Sequence, residues 1–242
     1  MTAICPTRLY LIRLGGGVIP ADPPLSMSFG SYLVQMSDGR NVLIDTGLPQ
    51  DWDTSDRMPT ITFDRDVVSA LADLGLRPED IDILITTHFD PDHAGMNDAF
   101  SSAEIVAQRA GYEEARNGQP RAAITREHWD APNLRYRLVD GDTELLPGLE
   151  LISTPGHAPG HQSVLVRLPN TGPVLLAIDA VAQASAFRPD REAAPMDLDA
   201  AGAVQSTRKL LDLAAQEQVA LVVHGHDGDQ WAALKTAPEF YD

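Results

Sequence analysis

The chain has 242 residues, 43% of them hydrophobic and 22% charged, with 35 acidic side chains against 18 basic ones and a formal net charge of −17. So acidic a composition argues against nucleic acid or an anionic membrane as partner, because phosphate contact needs a basic face, and leaves a small-molecule substrate as the expected one. The single cysteine, Cys5, excludes an intramolecular disulfide and a thiolate metal site.

No segment approaches the roughly 20 apolar residues of a membrane span. The N-terminus lacks the basic-then-apolar plan of a signal peptide, so the cytoplasm is the expected compartment.

Arg8–Leu14 predicts the first strand, and the Gly- and Pro-rich stretch Gly15–Pro24 predicts a loop. Tyr32–Met36 and Val42–Ile44 flank Ser37-Asp38-Gly39-Arg40, where Asp-Gly between apolar runs signals a hairpin. The second of these strands ends in Asp45-Thr46-Gly47. A polar loop, Leu48–Thr62, leads to a helix marked by Val67, Val68, Leu71 and Leu74 at helical spacing, with Gly75 as its stop. Strands are predicted at Ile81–Thr86 and Ile105–Gln108, and loop with broken helix over the charged stretch 111–137.

Leu149–Ile152 predicts the next strand. Val164–Leu168, a turn at Pro169-Asn170-Thr171-Gly172 and Val174–Ile178 then repeat the earlier plan and end in Asp179. A long helix over Asp199–Gln216 and a strand over Val219–Val223 complete the chain and run into His224-Gly225-His226. Strands in both parts with helices between them predict a layered α+β sandwich. No low-complexity linker intervenes, so residues 1–242 read as one domain of two related halves.

The densest chemistry is Thr87-His88-Phe89-Asp90-Pro91-Asp92-His93-Ala94-Gly95, directly after an apolar strand. Alternation aims His88 and Asp90 toward one ion and lets Asp92 and His93 reach a second. Imidazole with carboxylate suits zinc, iron or manganese. The plainer alternative is a polar loop with a capping Asp and two surface histidines.

Ser153-Thr154-Pro155-Gly156-His157-Ala158-Pro159-Gly160-His161 follows another strand, Asp179 ends a third, and His224-Gly225-His226-Asp227 follows the last. Each alone is equally a structural turn or cap. Together they gain force, because six of the seven histidines lie in three strand-end loops, with only His128 elsewhere. An N and O ligand set with an open position for water is the mark of a catalytic metal site.

His88-Phe89-Asp90-Pro91-Asp92-His93, then His157, Asp179 and His226 in that order, resemble the metal motifs of the metallo-β-lactamase superfamily. Leu43-Ile44-Asp45-Thr46-Gly47 belongs to the same resemblance, which covers nearly the whole chain. Thr154-Pro155-Gly156-His157-Ala158-Pro159-Gly160-His161-Gln162-Ser163, Ala177-Ile178-Asp179-Ala180 and Gly225-His226-Asp227 resemble the N-acyl homoserine lactone lactonases in particular.

The resemblance implies an αβ/βα sandwich: two mixed β-sheets flanked by helices, with the metal site at one sheet edge. It implies two divalent ions, with zinc expected and iron, manganese or cobalt as alternatives. His88, Asp90 and His157 would hold the first and Asp92, His93 and His226 the second, with Asp179 bridging. Asp45, His161 and His224 are expected to support these ligands from outside, with His224 a lesser alternative as ligand.

Two departures stand out. The family pattern has His where this chain has Asp90, a harder and negatively charged donor. Lactonases of this group carry a Tyr three residues after the bridging Asp, where this chain has Ala182; Tyr32 or Tyr136 are candidates to replace it.

The implied reaction is the opening of a lactone ring by a metal-bridging hydroxide, with Asp92 taking and returning the proton while also ligating. Met27, Phe29, Met58 and Phe63, with Trp52, are expected to line an acyl-chain channel; packing beneath the loops is the alternative. Another ester, a thioester, a β-lactam or an organophosphate is the alternative substrate class. A non-haem iron redox enzyme, suggested by Asp90 alone, and a binding protein with a decayed site are the alternatives outside hydrolysis. Acidic surfaces and apolar loops also permit a homodimer.

Overall fold

The computed structural model describes residues 4–20, 22–50, 52 and 61–242. Its strands are β1 (Pro6–Ile19), β2 (Leu25–Met36), β3 (Asn41–Ile44), β4 (Ile61–Phe63), β5 (Ile83–Ile85), β6 (Glu104–Gln108), β7 (Arg135–Val139), β8 (Thr143–Leu146), β9 (Leu149–Ser153), β10 (Gln162–Leu168), β11 (Gly172–Ile178) and β12 (Leu221–His224). The helices are α1 (Val67–Asp73), α2 (Pro91–Ala94), α3 (Arg109–Arg116), α4 (Pro120–Ala123), α5 (Arg126–Trp129), α6 (Ala200–Gln216) and α7 (Gly228–Ala233). None of the described helices is long and apolar enough to cross a membrane.

Two sheets result, a seven-stranded one in the order β4-β1-β2-β3-β5-β6-β7 and a five-stranded one in the order β12-β11-β10-β9-β8. Both are mixed. β1, β2 and β3 pair antiparallel while β3, β5, β6 and β7 run parallel, and β8 to β11 pair antiparallel while β12 joins β11 in parallel.

Period-two alternation sorts the apolar residues between two faces. Leu9, Leu11, Tyr32, Val34, Val42 and Ile44 of the first sheet meet Leu149, Leu151, Val164, Val166, Val174 and Leu176 of the second in one buried core. The intervening Tyr10, Ile12, Leu33 and Leu43 face outward and are covered by Val67, Ala70 and Leu71 of α1. On the other side Leu165, Leu175 and Ala177 are covered by Leu210 of α6. Each fully buried aliphatic chain contributes about 1.5–3 kcal/mol, so both sheets need cover on both faces, which makes four layers.

The helices predicted before Gly75 and over Asp199–Gln216 stand where their caps put them. Asp66 caps α1 by accepting from Ser69 N, and Gly75 ends it at φ 75°. Asp199 caps α6 by accepting from Ala201 and Gly202 N.

Gly15–Pro24 is a correction. β1 continues to Ile19, and Gly15, Gly16 and Gly17 pair with β2 on one side and with Phe63, Thr62 and Ile61 of β4 on the other. The glycines serve close approach here, since a Cβ on Gly15 would lie 2.3 Å from Thr62 O. The stretch 111–137 holds most of α3, all of α4 and α5, and the start of β7; β8 carried no clear sequence signal.

Candidate active site

The ligand residues of the sequence reading all lie at one end of the sandwich, just beyond the C-terminal ends of strands, where side chains of open α/β sheets converge. β3 and β5 are parallel neighbours and deliver Asp45 and Thr86-Thr87-His88. β11 and β12 are parallel neighbours and deliver Asp179 and His226. The loop between β9 and β10 carries His157, and α2 begins at Pro91 with Asp90 at its N-cap.

The backbone is bent to aim these groups. Asp45 has φ 60°, and Ile178, a β-branched residue just before Asp179, has φ 53°. Such a conformation costs roughly 1–3 kcal/mol and persists only where packing imposes it. Gly225 makes room for the turn, because a Cβ there would fall 2.6 Å from Asp179 Oδ1.

Two groups of possible ligands face one carboxylate. His88, Asp90 and His157 present donor atoms within 4.8 Å of one another, as do Asp92, His93 and His226, and as do His88, His93 and Asp179. Asp179 spans both groups: Oδ2 lies 3.4 Å from His157 Nε2 and 3.0 Å from His226 Nε2, and Oδ1 lies 3.6 Å from His93 Nε2. Asp90 Oδ2 lies 3.2 Å from His157 Nε2 and 3.5 Å from His88 Nε2. Asp92 Oδ2 lies 3.5 Å from both His93 and His226 Nε2.

The other ring nitrogens of His88, His93 and His226 are tied down from outside, and that of His157 faces a carboxylate. His93 Nδ1 donates to Asp45 Oδ2 at 2.8 Å. Asp45 also accepts from Thr87 N and Thr87 Oγ1, and Thr87 Oγ1 in turn accepts from His88 Nδ1 at 3.1 Å. His226 Nδ1 donates to Ser28 O at 2.9 Å. His157 Nδ1 faces Asp197 Oδ1 at 3.6 Å, and Arg191 Nη2 holds the other oxygen of Asp197 at 2.5 Å. With Nδ1 as the donor in His88, His93 and His226, the Nε2 lone pair of each is aimed inward, the orientation a metal-binding imidazole requires.

The charge balance fits cations. Buried carboxylates need compensation. Burial alone would lower the His93, His157 and His226 imidazoliums, but the facing carboxylates raise all three, His157 to about 9. His88 is lowered, by burial and then by His93. Burial would raise the Asp90 and Asp179 carboxyls, yet the surrounding histidines hold both well below the carboxylate range. His88 Nε2, His93 Nε2 and Asp179 Oδ1 are buried with no hydrogen-bond partner. Three inward-facing orphaned atoms amid paired imidazole and carboxylate donors suit metal ions that would satisfy them.

The remaining predicted residues divide. His161 stands outside the ligand groups; it donates from Nδ1 to Thr154 Oγ1 and accepts the Asp179 backbone N–H at Nε2. His224 donates to Val181 O and belongs to none of the ligand groups among the described residues. Phe29 is buried with its ring 4.9 Å from that of His226 and 5.0 Å from that of Phe63, and Met27 Sδ accepts from Gln183. Met58 lies outside the described residues.

Of the two candidate tyrosines, Tyr136 has its hydroxyl engaged elsewhere, while burial first and then the Asp45 and Asp179 carboxylates push the Tyr32 phenol up. Tyr136 donates to Trp129 O and accepts from Asn97, and Tyr32 is buried against Trp231. Sequence reading missed Arg121, Arg191 and Asp197. They sit in charged stretches without periodicity, and nothing in their spacing distinguishes them. Thr87 adjoins His88, so its role was within reach of the sequence.

Residues 31–226 match the family model described as the metallo-beta-lactamase superfamily. An N-acyl homoserine lactonase of Bacillus cereus is 35% identical over 227 residues, covering 89% of this chain and 88% of that one. A solved quorum-quenching N-acyl homoserine lactone hydrolase superimposes with a TM-score of 0.87 at 29% identity, covering 98% of this chain and 99% of that one. Another solved N-acyl homoserine lactone hydrolase, with the product N-hexanoyl-L-homoserine at its catalytic metal center, superimposes with a TM-score of 0.84 at 27% identity, covering 98% of this chain and 100% of that one. With its fold and its strand-end histidines and aspartates, the chain belongs to the metallo-beta-lactamase superfamily.

Proposed function

We propose that this protein is a dinuclear metal-dependent hydrolase that opens the lactone ring of N-acyl homoserine lactones or a similar cyclic ester. The observation that carries the reading is Asp179, one carboxylate facing two groups of His and Asp ligands within 4 Å. The relatives named as lactonases, and the product-bound metal center of a solved neighbour, support the substrate class.

His88, Asp90 and His157 would hold one ion, Asp92, His93 and His226 the other, and Asp179 both. Zinc suits the nitrogen-rich set, and the carboxylates also admit iron, manganese or cobalt. When bound, two such ions polarise an ester carbonyl and bring the pKa of a bound water toward neutrality.

The chain's own residues do the rest. Asp45, Thr87 and Ser28 hold the His93, His88 and His226 imidazoles in one tautomer, and Asp197 faces the His157 ring, so little reorganisation is needed during reaction. Asp92 is the most open of the ligand carboxylates, with its side chain 21% exposed against 5% for Asp179. It is placed to take a proton on the carboxylate oxygen not turned to His93 and His226 and to pass it to a leaving oxygen. Phe29, Phe63 and Met27, beside His226 and Gln183, offer the apolar wall an acyl chain needs. The two strand–turn–strand units ending at Asp45 and Asp179 support a single domain of two related halves, each supplying part of the centre.

The test is proton release from a long-chain N-acyl homoserine lactone. Chelator-stripped protein is reloaded separately with zinc, manganese, iron or cobalt. Release is expected only with metal, and Asp179→Ala should lower it by at least about 10²–10³-fold, the loss expected for one electrostatic stabiliser. Equal release without metal, or none with any ion, overturns the reading.

A further inference from the structure

Of the carboxylates in the two ligand groups, Asp90 alone among the described residues meets a guanidinium. Arg121 Nε lies 3.2 Å from Asp90 Oδ1, while Oδ2 of the same carboxylate faces His157 and His88. The guanidinium is fixed independently of that contact. Its Nη2 donates to His157 O at 2.7 Å and its Nη1 to Met196 O at 2.9 Å.

The short helix α4 that carries Arg121 is itself pinned. Gln119 caps it by accepting from Ala122 N, and the fully buried Trp129 donates to Ala122 O. Arg121 Nε is buried and has no well-aligned hydrogen-bond partner. A buried cation without that partner is costly unless a carboxylate stands against it.

We propose that Arg121 is a positioning residue of the first metal site. Its guanidinium balances the Asp90 charge and occupies Oδ1, leaving Oδ2 as the single oxygen presented to the His88–His157 side. The proposal rests on the metal-site reading above, and extends it to a residue outside the ligand motifs. A planar guanidinium held by two carbonyls does this with little motion; a lysine, as a flexible point charge, does not.

The test is cobalt(II) titration of the full chain, followed by visible absorption and by total bound metal. Arg121→Met and Arg121→Gln are compared in the native chain and in an Asp90→His background, with circular dichroism to check folding. In the native chain each variant should weaken one of the two binding steps by about 10–100-fold, as loss of an outer support does, and shift the cobalt bands. In the Asp90→His background the arginine has no carboxylate to hold, and its removal should leave that step unchanged or tighter.

An equal loss in both backgrounds overturns the proposal, since Arg121 would then act only through the His157 and Met196 carbonyls. No loss in the native background overturns it as well. A native chain that takes up fewer than two ions overturns the site reading and this proposal together, which separates the two failures.

Discussion

The two ligand groups share Asp179 but are supported differently. In the group of Asp92, His93 and His226, the histidines are held by the first sheet: His93 by Asp45 just after β3 and His226 by the Ser28 carbonyl within β2. His88, Asp90 and His157 also take a strand-end support through Thr87, but the rest is charged and distant in sequence. Arg121 comes from α4, and Asp197 with Arg191 from the segment before α6. One group is therefore a product of the sheets, and the other depends on how the peripheral segments pack against them. A buried ion pair loses more when one partner is removed than it contributes net, so the first group should be the easier to damage selectively.

Gly225→Ala should be the largest break, because it erases the contrast. A Cβ 2.6 Å from Asp179 Oδ1 and 2.9 Å from Ile178 O must displace the shared carboxylate. Both ions should be lost together, with a stability cost of about 1–3 kcal/mol for overpacking; metal analysis and thermal melts would show it.

Asp45→Ala and Asp197→Ala sharpen the contrast. Asp197→Ala should weaken one metal-binding step by about 10–100-fold and spare the other. Asp45→Ala should weaken both, because Asp45 holds His93 directly and His88 through Thr87. Stepwise metal titration distinguishes the two patterns.

Phe29→Ala tests the wall beside the second group. The ratio of kcat/KM for long-chain over short-chain lactones should fall about tenfold, the scale of a lost apolar contact, with metal content unchanged.

The smallest effect concerns pH and only the metal-free chain. His157 is raised from 6.5 to about 9 in the fold: burial alone would lower it, but Asp179, Asp197 and Asp90 outweigh that. Stabilisation from its imidazolium is therefore complete below pH 6.5 and lost as pH rises through about 9. Melting temperature of stripped protein should fall across that window, less steeply in Asp197→Ala, while metal-loaded protein, whose imidazoles are neutral ligands, should not follow it.

The legible and illegible parts follow the same division. The ligands on strand-end motifs were readable because a short peptide such as His88–His93 carries its own chemistry, and apolar runs bounded by turn signals marked most of the strands beneath it. Gly15–Gly17 misled because glycine signals a turn and a close approach equally; only β4, brought in from residues 61–63, decides between them. Tyr136 was eligible by residue type, but its hydroxyl is engaged by Trp129 and Asn97, which no local pattern connects to it.

By itself the sequence determined the sandwich class, the two hairpins ending in aspartate, the helices before Gly75 and over residues 199–216, and the order of the ligand motifs. These rest on local periodicity, turn chemistry and capping, which act over a few residues. Only the tertiary structure decided that Asp179 stands between two groups, that His161 and His224 stand aside, and that Arg121 and Asp197 reach the centre. Those placements depend on contacts between different strands, loops and helices, such as Arg121 with the carbonyls of His157 and Met196, 36 and 75 positions away, set by packing of both sheets and their covering helices.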